Sequence, residues 1–462
     1  MITDLKPYPE YKESDLPWLQ RYPADWVIKR GKAYLFCVDE RSENGKEELL
    51  TVSSARGVIP RRSAKVTMFK AESYAGHKLC WPGDLVINSL WAWGGGLGVS
   101  QHHGIISTAY SVYRSRPSAQ INPRYLHELV RSSAFHWELQ VRSKGVWISR
   151  LQLTDTSFLD APIPLPPPAE QAAIVRFLDH WNGRLEKAIR SKRRVIALLQ
   201  EQKQAIIHRA VTLGLDPKVQ LKDSEVPWLG GIPEHWDVRP LKYLSRRVQN
   251  GATPPSDSPE YFANGTIPWY GPASISSAVH VGVPSKLINQ VAVRDGKVRL
   301  MRAPTLLVVV IGTVGKIALL QADGATNQQI TAFELLENRV LPEFLTLQIK
   351  IAEPWLHASA SSSTIPILDS VLLKRVPIAA PALEEQQEIL EFISGETAPL
   401  TTAIARYERE ITLLREYRTR LTADVVTGKL DVRPAAAQVP DSEDASIPDE
   451  AENFEEESEL GG

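Results

Sequence analysis

Apolar residues recur at helical spacing in two long segments of the chain, residues 162–216 and 377–431. Each segment opens on a Pro-rich stretch, which can start a helix but not continue one backwards, and each closes near a glycine. The pattern predicts one helix of about 44 residues, roughly 65 Å long, in each segment. The positions expected to pack between these helices are Leu185, Ile189, Ile196, Leu199, Leu400, Ile404, Ile411 and Leu414.

The two helical segments are copies of one another. Shifted by 215 residues, so that Pro162 falls on Pro377, they align without a gap, and Glu170 falls on Glu385. An internal repeat of this kind sets the architecture of a chain. The apolar stripe of each predicted helix is too narrow for a globular core, so its expected partner is the other copy. The sequence thus predicts a spacer made of two long helices.

A shorter repeat lies upstream of each helix. The motif Pro17-Trp18-Leu19 returns as Pro227-Trp228-Leu229, and each copy is followed by a proline and a second tryptophan. Tryptophans beside prolines usually anchor the start of a domain, so we interpret this PWL motif as structural. Between motif and helix lie short β-branched runs broken by Gly and Asn, with one short helix, which are typical of a small α+β domain. Each half of the chain is therefore expected to contain an α+β globule, similar in plan and divergent in sequence.

Composition places the chain among ordinary globular proteins. At 462 residues it should form several domains, and 43% of its residues are hydrophobic. Two cysteines, Cys37 and Cys80, are too few for a disulfide framework and indicate a reducing cytoplasm. The N-terminus lacks the apolar core of a signal peptide, and the longest apolar run, residues 306–311, is too short to span a membrane.

The net charge of -1 hides an uneven distribution of charge. Residues 434–462 carry ten acidic side chains and no Lys or Arg, so removing this -10 leaves +9 on the first 433 residues. The acidic, Ala- and Pro-rich composition predicts a disordered tail. The mildly basic body permits a nucleic-acid partner, although an ordinary solvated surface explains the same charge nearly as well.

The repeated Pro-rich helices, the repeated PWL motifs and the loop PGDLVINSLWAWGGGLG at residues 82–98 resemble the specificity subunit of type I restriction-modification systems. The resemblance extends over residues 12–433. It implies an α+β fold in which two target-recognition domains are separated by two long antiparallel helices. The implied segments are residues 1–161 and 217–376 for the recognition domains, 162–216 and 377–433 for the spacer helices, and 434–462 for the acidic tail, which has no place in the family pattern.

The resemblance also implies a function. Each recognition domain would read one half of an asymmetric bipartite site in double-stranded DNA. Two modification (methyltransferase) subunits would dock on the helices, and restriction subunits would join the complex through them. The chain itself would be non-catalytic and hold no metal, while S-adenosylmethionine, ATP and Mg²⁺ would bind the partner subunits.

The candidate DNA-binding residues are polar, basic or aromatic side chains in Gly-rich or turn segments. Asn, Gln, Arg and Lys match the hydrogen-bonding edges of bases, and glycines let a backbone approach the duplex closely. The basic face from Arg190 to Arg194 of the first helix suits either phosphates or solvent. The candidates are Arg61, Arg62, Trp91, Trp93, Gly94, Gly95, Gln101 and His102 in the first domain and Tyr270, Thr313, Lys316, Asn327, Gln328, Ser362 and Thr364 in the second.

Two other classes of function compete with DNA recognition. An enzyme needs a catalytic motif, and the nearest one, GTVGKI at residues 312–317, departs from a phosphate-binding loop. Its glycines are too close together, and Ile317 stands where Ser or Thr is required, so a strand turn is favoured. The pair His102-His103 has no metal-ligand spacing with either cysteine. A purely structural coiled-coil adaptor would leave both globules without a role, so the sequence favours a chain that recognises DNA while its partners catalyse.

Overall fold

A computed structural model of the chain describes residues 5–64, 73–145, 151–255, 257–276, 278–361 and 365–440. The chain divides into two compact units. Unit 1 takes the described residues up to Lys192 and from Arg409 onward, and unit 2 takes Arg193–Glu408. Both predicted long helices are present, and their residue numbers place the start of each helix in one unit and its end in the other. Within the described residues, no helix is long and apolar enough to cross a membrane.

Unit 1 is an α+β body built on an antiparallel sheet in which β4, β11, β8 and β9 are neighbours in that order. Strands β1–β2, β3–β12, β5–β6 and β7–β10 form additional pairs. The strands are β1 (Tyr11–Leu16), β2 (Leu19–Pro23), β3 (Val27–Arg30), β4 (Leu35–Val38), β5 (Leu50–Ser53), β6 (Gly57–Pro60), β7 (Lys78–Cys80), β8 (Leu85–Asn88), β9 (Leu97–Val99), β10 (Gly104–Ile106), β11 (Tyr110–Ser115) and β12 (Pro162–Leu165). The helices are α1 (Pro123–Arg131), α2 (Ser133–Arg142), α3 (Asp155–Leu159) and the start of α4 (Pro168–Leu213).

Unit 2 is built on a second antiparallel sheet, with β16, β22, β19 and β20 as neighbours in that order. A three-stranded sheet β18-β17-β21 and the pairs β13–β14 and β15–β23 complete it. The strands are β13 (Leu221–Asp223), β14 (Gly231–Pro233), β15 (Asp237–Pro240), β16 (Ser245–Asn250), β17 (Ile267–Tyr270), β18 (Lys286–Ile288), β19 (Thr305–Val309), β20 (Ile317–Leu320), β21 (Ala325–Thr326), β22 (Ile330–Leu335) and β23 (Pro377–Ala380). The helices are α5 (Gln290–Arg294), α6 (Pro342–Ile351), α7 (Glu353–Ala358), α8 (Ser370–Lys374) and the start of α9 (Leu383–Val426).

The main sheets of the two units have the same connectivity. In each, the four strands taken in chain order lie side by side as first, fourth, second and third. The outer pairs also correspond, because β1–β2 and β3–β12 of unit 1 match β13–β14 and β15–β23 of unit 2. The duplication seen in the helices and PWL motifs therefore extends to the globules, whose sequences have diverged.

Each unit buries the start of one long helix and the end of the other in a single core. In unit 1, Phe177 of α4 and Val425 of α9 belong to the same cluster as Trp26. In unit 2, Ile389 of α9 and Val211 of α4 belong to the cluster around Trp236. Burial of these apolar turns against a globule stabilises the ends of both helices, because helical propensity alone gives a helix only marginal stability.

The Glu that opens each helix repeat anchors the second tryptophan of the PWL motif. In unit 1 the Trp26 Nε1 atom donates to Glu170 Oε1 over 2.8 Å, and in unit 2 the Trp236 Nε1 atom donates to Glu385 Oε1 over 3.0 Å. A buried indole N–H needs an acceptor, and this carboxylate supplies it. The structural interpretation of the PWL motif is therefore confirmed.

The neighbouring glutamines tie the same helix starts to a second helix. Gln171 Nε2 donates to the Pro166 carbonyl (2.8 Å), and its Oε1 accepts from the Asn122 amide ahead of α1 (2.6 Å). In unit 2, Gln386 repeats both contacts, with the carbonyl of Pro381 (2.8 Å) and the amide of Leu341 (2.7 Å). The Glu-Gln pair is thus repeated because each residue satisfies buried polar groups at the same junction.

The long helices run antiparallel within each unit. In unit 1, Glu186 pairs with Arg418 (3.1 Å) and Lys192 pairs with Glu410, so residue numbers rise on α4 as they fall on α9. In unit 2, Lys203 Nζ donates to Thr401 Oγ1 over 2.9 Å in the same register. The predicted antiparallel pair is confirmed.

The predicted seam between the helices is only partly buried. Ile189 and Ile411 are buried, whereas the other six seam positions keep intermediate exposure. A pair of helices covers one side of each apolar stripe and leaves its flanks open, unlike the wider contact made inside a core. The six half-buried positions are Leu185, Ile196, Leu199, Leu400, Ile404 and Leu414.

Ordered structure continues past the predicted start of the acidic tail. Helix α10 (Arg433–Ala437) follows α9, Ala436 and Val439 are buried in unit 1, and the Val439 carbonyl accepts a hydrogen bond from Arg176. The prediction that disorder begins at residue 434 is therefore wrong for residues 434–440. These residues are ordered because the two apolar side chains are buried in unit 1.

Candidate nucleic-acid interface

The two glycine-rich segments chosen from the sequence occupy equivalent hairpins. Residues 89–96, with Trp91, Trp93, Gly94 and Gly95, connect β8 to β9, and residues 310–316, with Thr313 and Lys316, connect β19 to β20. Both hairpins join the second and third strands of the main sheet of their unit. The same scaffold position therefore carries an aromatic tip in unit 1 and a hydroxyl and an amine in unit 2.

The tip of the unit 1 hairpin is a pair of indoles. Trp91 is 41% exposed, and its ring centroid lies 4.9 Å from that of Trp93. The Trp93 Nε1 atom donates to the Leu90 carbonyl (3.1 Å), which fixes the second ring. An ordered, exposed aromatic pair offers a surface on which a base can stack. It can also act as an apolar side-chain wedge inserted between bases in a DNA groove.

The glycines of this hairpin have a packing role. A Cβ atom on Gly94 would lie 2.8 Å from Trp91 Nε1, and one on Gly96 would lie 2.9 Å from Trp91 Cδ1. Gly95 has φ +82°, which side chains rarely tolerate. Gly94 and Gly96 therefore make room for the Trp91 ring, and the contact of Gly94 and Gly95 with DNA stays a prediction.

A second exposed aromatic stack was not found by sequence reasoning. The Trp81 ring, 43% exposed, lies 4.0 Å from that of His103 between centroids. Glu40 accepts from Trp81 Nε1 (3.2 Å), and Arg114 on β11 bonds both Glu40 (2.8 Å) and Asp84 (2.9 Å).

These ion pairs hold the charges of the network in place. The hydrogen bonds from Asp84 and Glu40 raise the pKa of Arg114, and the Arg114 hydrogen bond holds the pKa of Glu40 below its ordinary value. No local motif signals this arrangement, because only sheet pairing brings residues 40, 84 and 114 together.

Gln101 lines a cleft of about 340 Å³ in unit 1, beside Arg124 and His127. Arg124 is paired with Asp179 (2.6 Å), and His127 Nδ1 accepts from the Val99 amide (3.2 Å). Burial lowers the pKa of His127 to about 4, so this histidine is neutral near pH 7. The lining also includes Pro82, Val99 and Pro123, so the cleft is mainly apolar, with the Gln101 amide and an arginine that is already paired at its edge.

The remaining candidates of unit 1 lie outside the hairpin. His102 is half-buried, and its backbone amide and carbonyl both bond Ser100 Oγ (3.1 and 2.8 Å). Arg61 and Arg62 lie in a 3-10 turn after β6. Arg62 is exposed and paired with Glu48 at 3.0 Å, a weak surface ion pair that a phosphate could replace.

Two candidates of unit 2 are core residues. Tyr270 and Asn327 are each 8% exposed, and the Asn327 amide bonds the Tyr270 carbonyl (3.1 Å). The Asn327 side chain is bonded to Gln329 through both its Nδ2 and Oδ1 atoms. The prediction that these two residues contact bases is not supported. Tyr270 packs in the core, and the side-chain hydrogen bonds of Asn327 are made within its own turn.

Gln328, Thr313 and Lys316 retain positions that a ligand can reach. Gln328 and Thr313 are exposed, Lys316 is half-buried, and Gln328 Oε1 accepts a hydrogen bond from Thr253. The segment at residues 312–317 is the β19–β20 turn, as predicted, and it does not open a helix as a phosphate-binding loop must. The predicted residues Ser362 and Thr364 lie outside the described residues.

Comparison with known proteins shows what this chain is similar to. Residues 233–412 match the family model of the type I restriction modification DNA specificity domain. These residues are therefore similar to a type I DNA specificity domain. The resemblance to specificity subunits that the sequence indicated is confirmed, since known proteins aligned with this chain carry that description.

Two such relatives illustrate the degree of similarity. The chain is 28% identical over 181 residues to the type I restriction enzyme MjaIX specificity subunit of Methanocaldococcus jannaschii, covering 38% of this chain and 40% of that protein. It is 23% identical over 254 residues to the type I restriction enzyme EcoBI specificity subunit of Escherichia coli, covering 52% of each. The matched part of this chain thus spans about half the length of these relatives or less.

A solved structure shares the fold over most of the chain. It comes from a study of complex assembly and conformational transition of the type I R-M system, with a TM-score of 0.62 at 19% sequence identity. The alignment covers 88% of this chain and 99% of the solved one. The predicted fold class, α+β with two long helices, is confirmed.

Proposed function

We propose that this chain is the DNA-recognition subunit of a type I restriction-modification complex, in which each unit reads one half of an asymmetric bipartite site. The observation that carries the proposal is the pair of main sheets with one connectivity and different hairpin tips. A duplicated scaffold presents two heads to one duplex, as a symmetric dimer does. Because the tips differ in chemistry, the two half-sites differ in sequence.

The tips suit different modes of reading DNA. In unit 2, Lys316, Thr313 and Gln328 supply donors and acceptors for base edges in the major groove. In unit 1, the Trp91–Trp93 pair supplies apolar surface, and Gln101 supplies an amide. Direct contacts of this kind contribute about 1–3 kcal/mol each to discrimination between bases.

The long helices support docking of partner proteins. Leu413 in unit 1 and Leu198 in unit 2 are each more than half exposed on α9 and α4, in addition to the open flanks of the seam. In this proposal these open apolar positions contribute to the surface that a partner protein covers. We propose that one modification subunit docks in each unit, with restriction subunits recruited through them in the cytoplasm. In this proposal those partners bind S-adenosylmethionine, ATP and Mg²⁺, and this chain positions them without catalysing a step.

The purified chain alone is expected neither to methylate nor to cleave DNA. Together with its modification subunit and S-adenosylmethionine, it should give adenine methylation confined to one bipartite sequence, measured by single-molecule sequencing of the treated DNA. The modification subunit alone is the control and should methylate no defined sequence. Methylation or cleavage by a preparation shown by mass spectrometry to contain no partner would contradict the division of labour.

A further inference from the structure

Helix α4 carries a line of cations along one face in unit 1, formed by Arg176, Arg184, Lys187 and Arg190. At about 100° per residue, spacings of eight, three and three residues place the other three side chains within about 60° of Lys187 around the helix axis. All four are exposed, and the line is roughly 21 Å long. We call these four residues the cationic face.

The acidic residues that flank this face are engaged elsewhere. Asp179 is paired with Arg124 (2.6 Å), and Glu186 is paired with Arg418 (3.1 Å). Both carboxylates are therefore directed to other elements of unit 1, and the cationic face keeps a surplus of positive charge. A surplus of this kind attracts an anionic partner.

The described chain ends beside the first residue of the face. The Val439 carbonyl accepts a hydrogen bond from the Arg176 guanidinium, and Val439 itself is buried. Pro440 therefore leaves the core next to Arg176. Whatever follows Pro440 in the sequence begins its path at one end of the cationic face.

Residues 441–462 contain all ten acidic residues of the tail and no Lys or Arg. Lys187 lies about 16 Å along α4 from Arg176, a distance that a flexible chain of about ten residues spans on average. Attachment beside the face gives the segment an effective concentration in the millimolar range. Charge, position and reach thus all favour this segment over a free anion.

We propose that residues 441–462 bind the cationic face of α4 within the same chain. The segment then occupies cations that could otherwise contact phosphates, so it competes with nucleic acid for this face. The binding itself stands on charge and position alone, whereas the competition rests on the proposed function. Salt must weaken both, because exposed charges are screened.

Carbodiimide cross-linking tests the binding, since it joins a lysine Nζ only to a carboxylate in direct contact. In the intact chain at low salt, we expect Lys187 to be linked to carboxylates between Asp441 and Glu459, with a loss of about tenfold at 0.5 M salt. The double substitution R184E and R190E should remove the link. Exposed Lys46 of unit 1 is the internal control and should not be linked to this segment. If Lys187 is linked no more than Lys46, or is linked mainly between isotopically distinct copies in a mixed sample, the proposal is overturned.

Affinity for a random-sequence duplex tests the competition separately. A chain ending at Pro440 should bind the duplex about tenfold more tightly than the intact chain at low salt, and the difference should vanish as salt rises. Equal affinities at low salt would overturn the competition. A truncated chain that binds no DNA, beside an intact chain that shows the Lys187 link, would refute the proposed function and leave the intramolecular binding standing.

Discussion

A chain with four extra residues after Leu199 in α4 and four after Ile404 in α9 should recognise both half-sites unchanged, with one or two more base pairs between them. The register set by Lys203 and Thr401 places these two insertion points opposite each other. Four residues add about one helical turn, near 6 Å, and almost preserve the apolar stripe. On B-DNA at roughly 3.4 Å per base pair, 6 Å corresponds to that change in the gap.

The control for the paired insertion is a variant with a single insertion. Four residues added to α4 alone lengthen one helix against an unchanged partner and should reduce activity rather than shift the gap cleanly. Methylated adenines mapped across genomic DNA, with the variant and its modification subunit, give both half-sites and the gap at once. An active paired variant with an unaltered gap would show that the helices do not set the spacing.

Replacing Glu170 by alanine is expected to lower the free energy of unfolding of unit 1 by about 3 kcal/mol or more. Glu170 is buried and accepts hydrogen bonds from Trp26 Nε1 (2.8 Å) and from the Tyr8 hydroxyl (2.6 Å). Burial and the neighbouring carboxylate raise the pKa of Tyr8, which therefore remains a neutral donor. The substitution leaves both buried donors without an acceptor, and each costs about 1–3 kcal/mol.

Hydrogen exchange followed by mass spectrometry resolves the two units in this experiment. Peptides from β3, α1 and β12 should lose protection in the Glu170→Ala variant, while unit 2 peptides should not. Glu170→Gln keeps an oxygen acceptor for Trp26 and should lose less. Glu385→Ala is the matched variant in unit 2, where a more exposed carboxylate should contribute less. Equal loss of protection in both units of Glu170→Ala would contradict the separate anchoring of the two helix starts.

The long helices were predictable because their information is local. Apolar spacing, a Pro-rich start and a closing glycine are read within one segment, and the gapless repeat excludes coincidence. At Gly428, which has φ +73°, a Cβ atom would lie 2.3 Å from Pro23 Cδ, so the glycine that ends the second repeat is required by packing as well as by the turn. Partial burial of Leu199 and its neighbours was not predictable, because periodicity shows which side is apolar but not how much of it a partner covers.

The recognition surface was predicted less well because its chemistry is assembled by strand pairing. Residue type selected two hairpin tips that are equivalent in topology. It also selected Tyr270, which packs in the core, and Asn327, whose side chain is hydrogen-bonded within a turn. The Trp81–His103 stack depends on Arg114 from a third strand, and no spacing in the sequence indicates that contact. The shared strand order of the two main sheets was not predictable for the same reason. The strands have kept their pairing neighbours while their amino-acid sequences have diverged.

Exchanging one globule of this chain for that of a similar specificity subunit tests whether each unit reads its own half-site. Residues 31–160, which lie between β3 and β12 and leave the Trp26–Glu170 junction intact, would be replaced by the corresponding segment of another member of the family. Methylated adenines are then mapped with the modification subunit present. We expect one half-site to change while the other half-site and the gap stay as they were. A change in both half-sites, or in the gap, would contradict it.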